Sequence, residues 1–172
     1  VREEVEDKII RRTLDALQSE GVEFKGVLYF GLMLTDDGPK VLEYNARFGD
    51  PETQAVLPRM KNDLLDVMDA VIDGRLNEIT LEWDERSAVC VVLASGGYPG
   101  SYPKGLPITG LAQVKDAIVF HAGTARQNGG YVTAGGRVLG ITAMGENIAE
   151  ARKKAYSEAE KIFFEGMQYR KD

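Results

Sequence analysis

Glu43, Asn45 and Arg47 stand at alternating positions in the run VLEYNAR, residues 41–47. Side chains on a strand alternate between faces, so this spacing predicts the three polar groups on one face, with Leu42, Tyr44 and Ala46 on the other. A carboxylate beside an amide oxygen suits Mg²⁺, a hard cation that takes a few protein oxygens and completes its shell with phosphate and water. A guanidinium two residues further on could neutralise a transferring phosphoryl group or a substrate carboxylate. The competing reading is a solvated strand face carrying an incidental charge pair. The next residues, Gly49 to Thr53, read as a tight turn into a helix, with Asp50 as N-cap and Pro51 in the first helical position. A strand with metal ligands that runs into helix N-terminal amides suits an anionic substrate. Asp50 and Glu52 then serve either as cap and dipole partner or as direct substrate contacts.

The elements that must position these groups follow from periodicity. Val5, Ile9, Ile10, Leu14 and Leu17 recur at helical spacing, with Gly21 where a C-terminal cap would stand. Residues 25–35 and 40–46 are two β-rich runs joined by Asp36, Asp37 and Gly38, a hairpin signal that puts Glu43 and Asn45 on its second strand. A helix from Asp50, interrupted near Pro58, precedes another over 62–73. The apolar set of that second helix is Leu64, Leu65, Val67, Met68, Val71 and Ile72, and Gly74 closes it.

After Trp83 the helical periodicity gives way to strands with Gly and Pro turns, which places a domain boundary near residue 83. Strands are expected at 87–94, 117–122, 131–133 and 137–143, with a turn at Asn128 and Gly129. A final helix over 147–163 carries Ile148, Ala151, Ala155, Ala159 and Ile162 as its buried stripe. The loop GGYPGSYPKG, 96–105, has the composition of a backbone-rich ligand loop but lacks the ending of a phosphate-binding P-loop, so a structural turn is favoured. Gly135 and Gly136 allow close backbone approach, and Arg137 beside them either holds a phosphate or decorates a turn. His121, the only histidine, reads as a packed or hydrogen-bonded residue.

Bulk properties narrow the function classes. A net charge of -6 without a large Lys and Arg cluster argues against nucleic acid and membrane surfaces as partners and favours small molecules. The single cysteine, Cys90, lies in an apolar run and can form no internal disulfide, which fits a reducing cytoplasm. No apolar run approaches the roughly 20 residues of a membrane span. The sequence begins within a helical pattern and without Met, as a portion of a longer polypeptide would.

In order, KGVLYFGLMLTDDGPKVLEYNARFGDPETQAVLPRMKNDLL, AVCVVLASGGYPGSYPKG, FHAGTA, TAGGRVLGITAMG and KIFFEGMQYRKD resemble the carboxy-terminal part of the phosphoribosylamine-glycine ligase family, ATP-grasp ligases of purine biosynthesis. The resemblance implies an α+β chain: the end of an ATP-grasp domain, built of antiparallel strands plus helices, over 1–83, then a small α+β carboxy-terminal domain over 84–172. It implies ATP as co-substrate, Mg²⁺ or Mn²⁺, and glycine and 5-phosphoribosylamine as the other small-molecule substrates. The family's E-x-N metal ligands map onto Glu43 and Asn45. A further acidic ligand, which many ATP-grasp relatives carry on the preceding strand, maps onto Gly31 and is absent. Arg47 and Asp50 become catalytic candidates, and Glu52 and Arg137 substrate-binding ones. For Arg137 the analogy is with an Arg-Lys-Met-Gly-His stretch that helps hold a ribose phosphate in the related aminoimidazole ribonucleotide carboxylase subunit; here the arginine and glycine are kept, while Val138 replaces the lysine. The resemblance also implies that an amino-terminal portion of the same polypeptide, which clasps adenine and phosphates, is a necessary partner, and that this chain alone is inactive. The alternatives are another ATP-grasp carboxylate-amine ligase, or a non-catalytic binding fragment.

Overall fold

A computed structural model describes residues 1–171, an α+β arrangement of antiparallel sheets and helices. It divides into two compact units: residues 1–49 with 62–81, and residues 50–61 with 82–172.

In the first unit the opening helix runs as α1 (Arg2–Val5), a π-helical section (Glu6–Ile10) and α2 (Arg11–Ser19). Strands β1 (Tyr29–Thr35) and β2 (Gly38–Asn45) form an antiparallel hairpin in which Thr35 pairs with Gly38. The first strand starts four residues later than the periodicity predicts, because residues 25–28 have no ladder partner on β2. After a short helix α3 (Thr53–Val56), which belongs to the second unit, helix α4 (Leu64–Asp73) returns to the first. Asp63 caps α4, its Oδ1 accepting from the Leu65 N–H at 2.8 Å, and Gly74 ends it in the left-handed region. The predicted apolar set of α4 is mostly not core: Val67 and Ala70 are buried, while Leu65 and Ile72 are 69% and 63% exposed.

The second unit holds the main core. Strand β8 (Arg137–Gly145) lies between β3 (Ser87–Ala94) and β5 (Ile118–His121), antiparallel to both. Being central, β8 is buried on both faces from Val138 to Ala143, and apart from Thr142 that stretch carries no polar side chain. A second sheet has the order β4 (Pro107–Ile108), β7 (Gly130–Thr133), β6 (Thr124–Gln127). Asn128 and Gly129 both have positive φ, as a two-residue hairpin between β6 and β7 requires. Neither β4 nor β6 shows in the periodicity. The first is two residues long, and the second, Thr-Ala-Arg-Gln, has no apolar alternation and is defined by pairing with β7.

Helix α5 (Ile148–Ala159) packs on β3 and β8. Asn147 caps it by accepting from the Glu150 N–H at 3.0 Å, while Glu150 accepts from the Glu146 N–H at 3.0 Å, a reciprocal arrangement close to a capping box. Ala151, Ala155 and Ala159 are buried as expected, but Ile148 is 69% exposed. The start of the helix lies close to the end of β8, where a Cβ on Gly145 would lie 2.5 Å from the Ala151 amide nitrogen. The helix also stops at Ala159 rather than 163, and Ile162 and Phe164 reach the core from the segment that follows.

Among the described residues Glu158 is the one buried carboxylate, 3% exposed. Its Oε1 pairs with Lys161 Nζ at 2.6 Å and its Oε2 accepts from the Lys115 N–H at 2.9 Å. The Lys161 ammonium, ahead of these backbone contacts, holds the carboxyl below the usual carboxylate range. Glu158→Ala leaves the Lys115 N–H unpaired and should cost about 1–3 kcal/mol in urea unfolding near neutral pH. A lowered folded pKa contributes stability above the ordinary glutamate value and loses it as pH falls through the folded one. The gap between wild type and variant should therefore narrow below about pH 4. A gap that stayed constant in acid would contradict a role for the charge.

Among the described residues no helix is long and apolar enough to cross a membrane.

Candidate functional site

The hairpin brings Glu43 and Asn45 together: Asn45 Nδ2 donates to Glu43 Oε1 at 3.3 Å. Gly31 is the direct partner of Glu43 across the ladder. A Cβ at Gly31 would lie 2.8 Å from Glu43 Cγ, so the glycine makes the room in which the carboxylate stem lies. The register shifts here, since Gly31 faces Glu43 while Leu32 faces Val41, leaving Leu42 as the extra residue of a bulge. The bulge modifies the expected alternation, and Leu42 and Tyr44 are exposed rather than packed on an apolar face. Tyr44 instead sets its ring edge-on to Phe30, with centroids 5.3 Å apart, and its hydroxyl lies 3.3 Å from that of Thr13.

Arg47 lies beyond the end of the strand. Strand β2 ends at Asn45 and the next two residues form a bend, so alternation no longer governs the guanidinium. Its Nη1 donates to the neighbouring Phe48 carbonyl at 2.8 Å.

Among the described residues no group of three or more Asp, Glu, His or Cys is arranged to hold a metal. One exposed carboxylate and one half-buried amide in contact fit a hard divalent cation that keeps phosphate and water in its shell. A half-turn of the Asn45 amide would set its oxygen where its nitrogen now touches Glu43.

Asp50, Glu52 and Arg137 gather in the second unit. Asp50 is not a helix N-cap. A cis Asp50–Pro51 peptide leads into a turn, α3 begins only at Thr53, and one turn of helix is too short to supply the expected anion-binding amides. Asp50 Oδ1 accepts instead from Gln54 Nε2 at 2.8 Å. Arg137 Nη1 donates to the Asp50 carbonyl and lies 3.7 Å from Asp50 Oδ2. Arg137 Nε donates to the Tyr98 hydroxyl at 3.3 Å. The Tyr98 hydroxyl, and after it the carboxylates of Asp50 and Glu52, raise the Arg137 pKa and keep the guanidinium charged. Arg137 lines a cleft of about 390 Å³ with Pro51, Val92, Tyr98, Gln168 and Arg170.

Tyr98 is the residue that sequence reasoning missed, and the available signal is a tyrosine between Gly97 and Pro99 in the loop after β3. His121 behaves as expected: its Nδ1 lies 3.0 Å from the Thr124 hydroxyl and its ring is tilted against Tyr131. Burial raises the pKa of the Cys90 thiol and keeps it protonated.

Residues 1–53 match the family described as "Phosphoribosylglycinamide synthetase, ATP-grasp (A) domain", and residues 88–172 match "Phosphoribosylglycinamide synthetase, C domain". Hairpin, capped α+β unit and these matches together define an ATP-grasp protein with its attached C domain. A phosphoribosylamine–glycine ligase of Caldanaerobacter subterraneus subsp. tengcongensis is 57% identical over 98% of this chain, which covers 40% of that relative. The trifunctional purine biosynthetic protein adenosine-3 of Gallus gallus is 53% identical over 98% of the chain, which covers 17% of it. The crystal structure of the phosphoribosylamine–glycine ligase of Thermotoga maritima superposes with a TM-score of 0.87 at 40% identity, covering 100% of this chain and 42% of that one. The chain belongs to the phosphoribosylglycinamide synthetase family and spans about two fifths of the length of its single-function relatives.

Proposed function

We propose that this chain is the carboxy-terminal part of an ATP-dependent ligase that joins glycine to 5-phosphoribosylamine, giving glycinamide ribonucleotide in purine biosynthesis in the cytoplasm. The observation that carries the reading is the 57% identity, along nearly the whole chain, to a protein named for that reaction. The domain assignment goes with it: residues 1–83 end the ATP-grasp domain and 84–172 form the carboxy-terminal domain.

The γ-phosphoryl group of ATP passes to the glycine carboxylate and ADP leaves. The amine of phosphoribosylamine then attacks the acyl carbon, loses a proton and expels phosphate. Two anions must meet in the first step, so positioning and charge neutralisation matter more than a protein nucleophile. Glu43 and Asn45 would hold Mg²⁺ or Mn²⁺, which when bound would supply positive charge against the ATP phosphates. Arg47, free of the strand, reaches the developing charge or the glycine carboxylate. Asp50 and Glu52 orient the attacking amine, and Arg137 holds the phosphate of phosphoribosylamine.

The remainder of the polypeptide is the partner this reading requires. The 172-residue chain alone should accordingly show no ligase turnover, because this reading assigns the clasping of adenine and the exclusion of water to the remainder of the polypeptide. Glycinamide ribonucleotide formation should appear only with the full polypeptide, and product from the purified chain alone would refute the division of labour. A full polypeptide that prefers another carboxylate substrate over glycine would favour a different ATP-grasp ligase.

A further inference from the structure

Arg137 is held along two of its edges. Nε is engaged by the Tyr98 hydroxyl and Nη1 by Asp50, so Nη2 is the guanidinium nitrogen without a hydrogen-bond partner among the described residues. The side chain is 39% exposed, in the cleft beside Gln168 and Arg170.

Tyr98 is itself fixed at every point. Its ring covers Gly136 so closely that a Cβ there would lie 2.1 Å from the ring carbon Cδ2. Its N–H donates to the Ser95 carbonyl at 3.1 Å, and its carbonyl accepts from Gln168 Nε2 at 2.9 Å. Ser95 anchors the glycine turn beneath: its N–H donates to the Gly136 carbonyl and its hydroxyl to the Gly135 carbonyl, both at 2.8 Å. A rigid phenol on a rigid turn can set the plane of the guanidinium it accepts from. A fixed planar fork loses less freedom on gripping a phosphate than a mobile one does.

We infer that Tyr98 is a positioning residue for a phosphate monoester site: its hydroxyl orients Arg137 so that the Nη2 edge faces the phosphate of a sugar phosphate in the cleft. The inference rests on the reading of Arg137 as the phosphate contact in the proposed reaction, and it adds the device that prepares that contact. It also accounts for the loop 96–105, which neither the turn reading nor the ligand-loop reading connects to Arg137.

The test is titration of the 172-residue chain with ribose 5-phosphate, followed by calorimetry. Arg137→Ala should weaken binding on the order of tenfold by removing a charge-assisted contact. Tyr98→Phe keeps the ring over Gly136 and removes only the hydroxyl, so it should keep the unfolding midpoint and weaken binding about fivefold, the worth of one net hydrogen bond. The double variant should bind no more weakly than Arg137→Ala alone, since Tyr98 acts through the guanidinium. In the full polypeptide, Tyr98→Phe should raise KM for phosphoribosylamine while leaving kcat and the KM values for glycine and ATP unchanged. If Arg137→Ala weakens binding and Tyr98→Phe does not, the positioning role is overturned and the phosphate contact stands. Losses that add in the double variant also overturn it, because Tyr98 would then touch the ligand itself. Absence of ribose 5-phosphate binding to wild type, or indifference to Arg137→Ala, overturns the phosphate site and the inference together.

Discussion

Glu43→Ala in the full polypeptide should lower turnover about a hundredfold or more while leaving the fold intact, the size expected when a preorganised charge contact to a developing phosphoryl charge is lost. The fold should survive because Glu43 is exposed and its one described side-chain partner is Asn45. Substitutions at such surface positions usually stay within about 0.5 kcal/mol. Asn45→Asp should be milder, since it keeps an oxygen donor at the same place, and the added charge should shift the metal preference. Steady-state kinetics with Mg²⁺ and then Mn²⁺ varied at limiting concentration read both effects. Near-normal kinetics for Glu43→Ala at limiting Mg²⁺ would remove the metal assignment from this strand.

The largest expected effect on stability lies at Phe164. Its side chain is fully buried among Leu93, Val138, Ile141 and Ile162. Truncating such a phenylalanine to alanine costs about 3–5 kcal/mol, from lost transfer energy and the cavity left behind. Domains of this size are stable by only about 5–15 kcal/mol, so the variant should sit close to unfolding at ambient temperature. In urea the midpoint should fall with the slope unchanged. Phe163→Ala is the natural control. Phe163 is 62% exposed, and its backbone N–H and carbonyl both pair with Thr109, so its truncation should cost well under 1 kcal/mol. Equal losses at the two positions would contradict the packing of this segment.

The two adjacent phenylalanines mark where sequence stops deciding. An extended segment turns neighbours to opposite sides, but which side meets a core depends on what lies across from it. Here the Thr109 bridge, from a residue more than fifty positions earlier, fixes that choice.

The sequence by itself determined the features whose causes act within a few residues. Asn147 capping α5, Asp63 and Gly74 bounding α4, the Asn128 and Gly129 hairpin and the contact of Glu43 with Asn45 all follow from local hydrogen bonding, permitted φ and strand alternation. The family resemblance rested on the same local runs. The tertiary structure alone decided the bulge at Leu42, the exposure of Leu65 and Ile72, and the attachment of residues 50–61 to the second unit, through the Lys61 N–H to the Glu82 carbonyl and the Asp84 N–H to the Arg59 carbonyl. It likewise decided that Arg137 is shared by Tyr98 and Asp50, residues 39 and 87 positions away. Contacts at such separations depend on how strands and turns in between fold back, and no propensity or periodicity of the residues involved encodes that geometry.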